Sequence, residues 1–234
     1  LHPMPAVTAN ADHYITSCCA TPKTDPAGWT LKVLDEGQLL ASLDLAFLDG
    51  LAATTREHTF QCISSGPDNL SISNAVWTGL PLSQILAAKG VAVPASRPSI
   101  RFTGADEYST GLPIEDLQKP VWLVWRMNGQ PLPPDHGFPV RALVPGRYGM
   151  KSCKWLHEIE FRKAPYLGTW ESTGWSDEAV VKPNALVWYP EAQAQIPAGK
   201  PFRLVRGRTA LYGGILMATA TFVLLTLVTR PDVG

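Results

Sequence analysis

The chain has 234 residues, of which 45% are hydrophobic and 17% charged, and its 20 basic and 20 acidic side chains cancel. Without a concentrated basic run, nucleic acid is excluded as an expected partner. Four cysteines are too few for a disulfide scaffold in a chain of this length. They include no Cys-x-x-Cys pair, so they also fit no zinc pattern. The length allows one large domain or two small ones.

Short strand patterns dominate the chain after residues 1–29, whose four prolines predict an extended arm on the domain surface. The predicted strands are residues 30–34, 59–64, 99–104, 121–127, 140–144 and 153–162. The predicted helices are residues 44–53 and 81–89. Asn128-Gly129 predicts a hairpin turn. Strands outnumber the short helices, so the predicted fold class is α+β.

The C-terminal part separates into a tether and an apolar run. Residues 176–208 are interrupted by prolines and are predicted to be the tether. Residues 209–229 are 21 residues without charge, between Arg208 and Arg230. As a helix they would span about 31 Å, the thickness of a bilayer's hydrocarbon core. We therefore predict one C-terminal transmembrane helix, with a buried core helix or a pair of buried strands as the alternative.

One segment stands out, because no familiar hydrolase, phosphate-loop or dinucleotide motif is present in the sequence. It is residues 127–155, MNGQPLPPDHGFPVRALVPGRYGMKSCKW. Its glycines and prolines predict tight turns. Between them are five basic side chains: His136, Arg141, Arg147, Lys151 and Lys154. Backbone amides and basic side chains gathered by turns suit an anionic, phosphate-bearing ligand. A solvated basic surface is the alternative interpretation.

This segment resembles the signature of the molybdopterin-dependent oxidoreductases of the sulfite oxidase family. That family includes sulfite oxidases, plant nitrate reductase and a bacterial methionine sulfoxide reductase. The segments TFQCISS, NAVWTGLPLSQIL and RFTGADEYSTGLP precede it in the family's order and spacing, so the resemblance covers residues 10–175. It implies a mixed-sheet molybdopterin-binding domain, which we assign to residues 30–175, with molybdenum bound through the pterin dithiolene.

The resemblance also implies roles for individual side chains. Cys62 matches the family's cysteine ligand of molybdenum, and a soft thiolate suits a redox metal. A small buried hydrophobe is the alternative for a lone strand cysteine. Tyr108 falls where sulfite oxidases place a tyrosine beside the metal, with an ordinary core or surface role as the alternative. The positions matching cofactor-binding residues are Ser17, Cys18, Asp106, His136, Arg141, Ser152, Cys153 and Lys154.

The sequence departs from the family around the substrate. Thr16 stands where sulfite oxidases use an arginine, and no basic residue follows soon after Cys62. A divalent anion such as sulfite would therefore lack partners, which is costly in a cleft. We predict a neutral oxo compound, such as an S-oxide or N-oxide, as the substrate. Otherwise Arg56, Arg101 or Arg147 would have to reach the site.

Two functions are compatible with the sequence. The first is a membrane-anchored molybdenum oxidoreductase that transfers oxygen atoms and exchanges electrons with a membrane redox partner. A separate partner is expected because the chain has no heme-attachment motif or iron–sulfur cysteine set. The second is a non-catalytic accessory subunit of a respiratory membrane complex.

The anchor predicts a location in the lipid bilayer of a mitochondrial inner membrane or a bacterial cytoplasmic membrane. Lys200, Arg203, Arg206 and Arg208 precede the apolar run, and Arg230 alone follows it. The positive-inside rule therefore favours a head domain in the cytoplasm or mitochondrial matrix. Bacterial relatives with membrane partners usually work in the periplasm, so the side of the head stays open.

Overall fold

The computed structural model describes residues 6–65, 71–189, 195, 205–209, 211–212 and 215–216. The chain divides into two compact units, Leu1–Val181 and Lys182–Gly234, and each is described by itself. Every side chain that the sequence singles out as a catalytic or cofactor-binding residue belongs to the first unit.

The described part of the first unit is built from strands, with two short α-helices. The strands are β1 (Thr30–Asp35), β2 (Gln38–Asp44), β3 (Thr54–Gln61), β4 (Ile72–Pro81), β5 (Ser99–Gly104), β6 (Ser109–Pro113), β7 (Trp122–Met127), β8 (Gln130–Pro131), β9 (Arg141–Leu143) and β10 (Leu156–Arg162). The helices are α1 (Leu45–Asp49) and α2 (Leu82–Ala88). Four 3-10 turns lie at Ile114–Gln118, Pro134–His136, Gly149–Lys151 and Glu171–Thr173.

The strands form two five-stranded sheets. The first sheet has the order β2-β1-β10-β5-β6, in which β1 and β10 are parallel and the other pairs antiparallel. The second sheet has the order β3-β4-β7-β8, with β9 also paired to β7, and is antiparallel. The predicted mixed-sheet α+β fold is therefore confirmed.

Local sequence patterns account for several of these elements. Along β1 the apolar Leu31 and Val33 are buried, whereas Lys32 between them is exposed, as expected for a strand with one buried face. Asn128 and Gly129 join β7 to β8 with φ values of 51° and 77°. Two successive left-handed residues make the hairpin turn that this pair predicts.

The structure differs from the prediction at β4, because the sequence patterns predict no strand over residues 72–81. Four successive inward positions of this strand are Ser73, Ala75, Trp77 and Gly79. Three of these side chains are small or polar, so the strand has a weak hydrophobic alternation. Gly79 is required by packing, because a Cβ there would lie 2.0 Å from the carbonyl oxygen of Leu123 on β7.

The predicted helix over residues 44–53 is shorter in the structure. Asp44 caps α1, its side chain accepting a hydrogen bond from the backbone N–H of Phe47 at 2.7 Å. The helix ends at Asp49, and β3 begins at Thr54. Strands β2 and β6 were also missed, because their exposed or short sequences give little periodicity. The predicted strand over residues 59–64 ends at Gln61, so Cys62 follows the strand directly.

The arm over residues 1–29 is more closely integrated than predicted. Its described residues form no helix and, until Thr30, no strand, and most are exposed. His13, however, is buried, and Tyr14 packs on an apolar cluster of the second sheet that includes Phe60 and Trp77. The backbone N–H of Tyr14 also donates to Ser73 Oγ at 3.0 Å. This part of the arm is therefore packed against the second sheet as part of the domain.

The second unit contains short paired strands where the tether and the membrane helix were predicted. Strand β11 (Asn184–Tyr189) pairs with β12 (Val205–Thr209), and β13 (Leu211–Tyr212) pairs with β14 (Ile215–Leu216). The rest of the predicted membrane run, residues 209–229, lies outside the described residues. Among the described residues, no helix has the length and apolar character to cross a bilayer. The predicted transmembrane helix is therefore not supported.

Candidate functional site

One cleft of about 210 Å³ in the first unit collects most of the side chains singled out by the sequence. Those that line it are Ser17, Cys18, Cys62, Asp106, Tyr108, His136, Arg141, Ser152 and Lys154. They come from the arm, the end of β3, the β5–β6 turn and the basic segment. Cys153 does not line the cleft. It is buried behind it, with its thiol 3.4 Å from the carbonyl oxygen of Lys154.

Cys62 is half-buried at the point where β3 ends. Its backbone N–H donates to the carbonyl oxygen of Ser71 at 2.9 Å, and its own carbonyl accepts from the N–H of Ser65 at 3.0 Å. These bonds fix the turn, and the Sγ atom lies 3.1 Å from Ser64 Oγ. The thiol therefore faces the cleft instead of filling the core, and it forms no disulfide.

Arg141 lies beneath the cleft on β9 and is only 6% exposed. Its guanidinium carbon lies 4.5 Å from the ring centroid of Phe60 and 5.3 Å from that of Trp77. Nη1 donates to the carbonyl oxygen of His136 and Nη2 to that of Ser152, both at 3.1 Å. Burial lowers the pKa of Arg141 to about 10. A cation this deeply buried is held by ring faces and carbonyl dipoles.

Two further basic side chains lie beside it. Lys154 donates to Ser17 Oγ at 2.5 Å and to the carbonyl oxygen of Asp135 at 2.9 Å. Burial, with the nearby Arg141 charge, lowers the pKa of Lys154 to about 8. Nε2 of His136 lies 3.1 Å from the carbonyl oxygen of Asn10, and burial lowers its pKa.

The turn that joins these basic residues depends on Gly137, which has a φ of 105°. A Cβ at this position would lie 3.0 Å from Cβ of Arg141 and 3.1 Å from Cβ of Lys154. Glycine therefore allows His136, Arg141 and Lys154 to approach one another, which the prolines and glycines of the segment predicted in outline.

Asp106 and Tyr108 occupy the β5–β6 turn. Oδ1 of Asp106 accepts from the N–H of Tyr108 at 3.2 Å, and burial raises the pKa of this carboxyl. The Tyr108 hydroxyl donates to the carbonyl oxygen of Met150 at 2.5 Å, and burial raises its pKa as well. The phenol is therefore protonated at neutral pH and can act as a hydrogen-bond donor.

The thiols of Cys18 and Cys19 lie close to Asp106, with the three potential ligand atoms within 4.8 Å of one another. The sequence pattern did not predict this grouping. Burial, together with Cys19 and the Asp106 carboxylate, raises the pKa of Cys18 to about 12. Cys18 is therefore a neutral thiol in the cleft at physiological pH.

Sequence reasoning missed several residues of the cleft. His13 stands 5.1 Å from His136, ring centroid to ring centroid, and burial lowers its pKa to about 4. Tyr14, Trp170 and Trp175 also line the cleft. These aromatic residues could have been found from the sequence, because large aromatic side chains in otherwise polar segments are expected to be at least partly buried.

Two basic residues of the 127–155 segment do not face the cleft. Arg147 forms an ion pair with Asp116, Nη2 to Oδ2, at 2.6 Å. Lys151 is buried and forms an ion pair with Glu171 at 2.5 Å. Both charges are neutralised by carboxylates that come from elsewhere in the chain, so the sequence could not separate them from the cleft cations.

The remaining arginines considered for an anionic substrate are also outside the cleft. The guanidinium of Arg56 lies over the ring of Trp122 at 5.1 Å. Arg101 forms ion pairs with Glu158 and Glu160. Neither they nor Arg147 line the cleft.

The donor set fits a phosphate-bearing cofactor with a soft metal. Among the described residues, Arg141 has no ion-pair partner, and its buried Nε has no hydrogen-bond partner. A buried cation without a counter-charge is stabilised by an anionic ligand. Lys154 adds a second positive charge, and Cys62 offers a thiol to the same space. These are the groups that a phosphate and a metal–dithiolene centre require.

Comparison with known proteins agrees with this chemistry. The family described as "Oxidoreductase molybdopterin binding domain" matches residues 18–170. The chain is 31% identical over 190 residues to mitochondrial sulfite oxidase from Mus musculus, covering 70% of this chain and 35% of that protein. It is 32% identical over 182 residues to the protein-methionine-sulfoxide reductase catalytic subunit MsrP of Xanthomonas axonopodis pv. citri (strain 306), covering 67% of this chain and 53% of that protein.

The chain thus spans about a third to a half of the length of these relatives. In three dimensions it is similar to the sulfane dehydrogenase SoxCD from Paracoccus pantotrophus, with a TM-score of 0.73 and 19% identity. The likeness covers 88% of this chain and 59% of that one and shows the fold. The chain belongs to the oxidoreductase molybdopterin-binding domain family, and molybdopterin is the cofactor of this domain.

Proposed function

We propose that this domain is the catalytic part of an oxidoreductase that transfers an oxygen atom to or from a small neutral substrate. The observation that carries the proposal is the convergence on one cleft of the Cys62 thiol, the buried Arg141 guanidinium without an ion-pair partner among the described residues, and Lys154. A phosphate site alone would not need a cysteine facing the same space. A cysteine that served only packing would be buried in the core.

The residues present divide between the two ends of the cofactor by their chemistry. Arg141 and Lys154 would hold the phosphate by charge-assisted hydrogen bonds. His136 and Asp106 would hydrogen-bond the pterin, and Cys62 would supply the protein sulfur to molybdenum. When bound, the cofactor supplies two-electron oxygen-atom transfer.

The protein's own contribution is rigid positioning. The guanidinium of Arg141 is clamped by Phe60, Trp77 and two carbonyl oxygens, so it requires little rearrangement when an anion binds. Tyr108 keeps its proton and is placed to donate a hydrogen bond to a substrate oxygen, in exchange for the carbonyl of Met150. Preorganised donors of this kind stabilise charge as it develops on oxygen.

The substrate proposal rests on the outer wall of the cleft. We use this name for the lining residues Ile15, Thr16, Ile63, Ser64, Trp170 and Trp175, none of which is charged. Small anions depend on charged side chains for capture and alignment. An uncharged, partly aromatic wall favours a neutral molecule with an apolar flank, such as an organic S-oxide. The name of the methionine-sulfoxide reductase relative is consistent with this substrate class.

These 234 residues offer no heme-attachment or iron–sulfur motif, so electrons must reach the proposed site from outside them. We propose a membrane redox protein as their source. A non-catalytic accessory subunit of a membrane complex is the alternative function. It is supported by the departures from the sulfite oxidase pattern at Thr16 and after Cys62. Molybdenum content of the purified full chain separates them in part, since a near-stoichiometric content supports catalysis and its absence supports the accessory role.

Replacement of the proposed metal ligand tests the catalytic proposal. We expect Cys62→Ser to fold and to lose at least about a hundredfold in turnover of an S-oxide with an artificial electron donor, because a hydroxyl is a poor soft-metal ligand. Steady-state rates per bound molybdenum measure this effect. Ala95→Ser, which adds a hydroxyl at an exposed position that does not line the cleft, is the control. Equal rates in Cys62→Ser and the wild type would remove Cys62 from the metal's ligands.

The lowered pKa of Lys154 predicts a pH dependence of cofactor retention. A lysine with a pKa of about 8 is charged below that pH, and a phosphate dianion bound beside it would raise this value. Affinity should therefore fall as pH rises above about 8, by up to about tenfold per pH unit, until the pKa of the bound state is reached. Molybdenum retained after dialysis at pH 7, 8 and 9 measures the slope.

A control variant isolates the contribution of this lysine. Lys154→Arg keeps its charge across the whole range, so its retention should change little between pH 7 and 9. The same slope in Lys154→Arg as in the wild type would assign the pH dependence to another group.

The uncharged outer wall predicts substrate preference. The wild type should reduce a neutral S-oxide and oxidise sulfite at least about a hundredfold less efficiently, as judged by kcat/KM at physiological salt. Thr16→Arg should raise sulfite turnover, whereas Thr55→Arg, which adds the same charge at an exposed position of β3, should not. Sulfite oxidation by the wild type with a micromolar KM would contradict the neutral-substrate proposal.

We also propose that residues 209–229 attach the protein to a membrane, on the basis of their uncharged composition. The full chain should float with lipid vesicles in a density gradient. Met217→Arg combined with Val223→Arg should abolish flotation, because each arginine costs about 2.5–3.5 kcal/mol in the bilayer centre. Met217→Leu with Val223→Leu is the control. Flotation of the double-arginine variant would contradict attachment through this run.

A further inference from the structure

The two tryptophans of the outer wall belong to a loop without extended secondary structure. Residues 166–177, called here the tryptophan segment, contain one 3-10 turn at Glu171–Thr173. Trp170 is half-buried and Trp175 is 41% exposed, and both line the cleft. Backbone hydrogen bonds within the segment, such as that from the N–H of Trp175 to the carbonyl oxygen of Trp170 at 3.3 Å, close its turns. They do not attach it to the rest of the domain, so its position depends on contacts with other elements.

The first contacts are made with the edge strand β6. The N–H of Thr169 donates to the carbonyl oxygen of Ser109 at 2.8 Å, and the N–H of Ser109 donates to Thr169 Oγ1 at 3.0 Å. The approach is close enough to require glycine at position 168. A Cβ on Gly168 would lie 2.3 Å from the carbonyl oxygen of Ser109. These contacts hold the beginning of the segment and leave the Trp170–Trp175 part to other groups.

Lys151 attaches the following part of the segment, together with Thr110, whose hydroxyl also donates to Glu171. Its side chain is 1% exposed, and each of its three ammonium hydrogens has an acceptor. Nζ donates to the carbonyl oxygen of Gly111 on β6 at 3.0 Å, to Glu171 Oε1 at 2.5 Å and to Asp177 Oδ1 at 2.9 Å. One buried cation therefore joins β6 to the residue after Trp170 and to the residue two places beyond Trp175.

The carboxylate of Glu171 depends on this cation. Oε1 also accepts from Thr110 Oγ1 at 2.6 Å, whereas Oε2 is buried and has no partner among the described residues. A buried carboxylate that loses its cation must take up a proton or move toward water. Removing the Lys151 charge should therefore release the turn that carries Trp170.

Lys151 is also adjacent to the cofactor residues. It ends the Gly149–Lys151 turn, directly before Ser152, and the carbonyl oxygen of Met150 in this turn accepts the Tyr108 hydroxyl. The same turn thus contacts the proposed oxygen-binding tyrosine on one side and the tryptophan segment on the other. Because Tyr108 and the tryptophans both line the cleft, a shift of the tryptophan segment relative to Tyr108 would change the width of the cleft.

We propose that Lys151 is a positioning residue for substrate specificity: it holds Trp170 and Trp175 as a fixed wall against which the apolar flank of the substrate binds. The substrate class in this inference rests on the proposed function. The claim that Lys151 fixes the positions of Trp170 and Trp175 does not depend on it. Lys151 takes no part in binding the cofactor. Its loss should weaken the binding of large substrates more than that of small ones, and the reaction step should be little affected.

The experiment compares Lys151→Met with Asp177→Asn and with the control Lys119→Met. Lys119 is a largely exposed lysine that pairs with Asp116 away from the cleft, its side chain being 73% exposed. Asp177 is 54% exposed, so Asp177→Asn loosens the same attachment without leaving an unpaired charge in the core. Molybdenum content, KM and kcat are measured with dimethyl sulfoxide and with methyl p-tolyl sulfoxide. Acrylamide quenching of tryptophan fluorescence is measured without substrate.

For Lys151→Met we expect an aryl sulfoxide KM raised about tenfold, a dimethyl sulfoxide KM and both kcat values within about threefold of wild type, and unchanged molybdenum content. Acrylamide quenching of tryptophan fluorescence should increase in Lys151→Met. Adding Trp175→Phe to Lys151→Met should remove this increase. Asp177→Asn should give a smaller change in the same direction, which keeps the inference testable if Lys151→Met fails to fold.

Unchanged quenching and KM in both variants would overturn the inference. So would a loss of molybdenum in Lys151→Met, since Lys151 would then act on the cofactor. If the molybdenum-loaded wild type reduces neither sulfoxide, the proposed function fails. The quenching measurement would still decide whether Lys151 fixes the tryptophan wall.

Discussion

The buried guanidinium of Arg141 is the constraint on which the cleft depends. It lies between the rings of Phe60 and Trp77 and donates to the carbonyl oxygens of His136 and Ser152. It therefore connects the second sheet to the turn before β9, which contains His136, and to the turn after β9, which contains Ser152. Because none of these partners carries a negative charge, the fold itself leaves a cation that an anionic cofactor can neutralise.

The presence or absence of a carboxylate partner also distinguishes the other basic side chains. Arg147 and Lys151, from the same segment as Arg141, each have a carboxylate partner and serve to fix loops. Arg101 is paired with glutamates of β10. Among the described residues that line the cleft, Arg141 and Lys154 are the two arginine or lysine side chains, and burial lowers the pKa of both. Cofactor binding and domain stability thus use different basic residues, although the sequence places them side by side.

The two walls of the cleft have different origins and different chemistry. The side proposed to bind the cofactor combines the turn-rich segment 127–155 with Cys62 and the β5–β6 turn, and it provides dense hydrogen-bonding groups. The outer wall combines the N-terminal arm, the turn after β3 and the tryptophan segment, and it provides uncharged and aromatic surface. Under the proposed function, this division would allow the substrate side to differ from that of sulfite oxidases while the cofactor side is kept.

The sequence by itself determined the features that are encoded locally. The Asn128-Gly129 turn, the alternation along β1 and the motif positions around Cys62, His136 and Arg141 depend on neighbouring residues. The tertiary structure decided what depends on distant partners: the burial of His13, the pairing of Lys151 with Glu171 and strand β4. Its small inward residues hide it from periodicity, because its packing is set by the approach of β7 at Gly79. Charge and hydrophobicity alone cannot separate a cation that binds a ligand from one that binds a carboxylate 20 residues away, since only the fold brings their partners into contact.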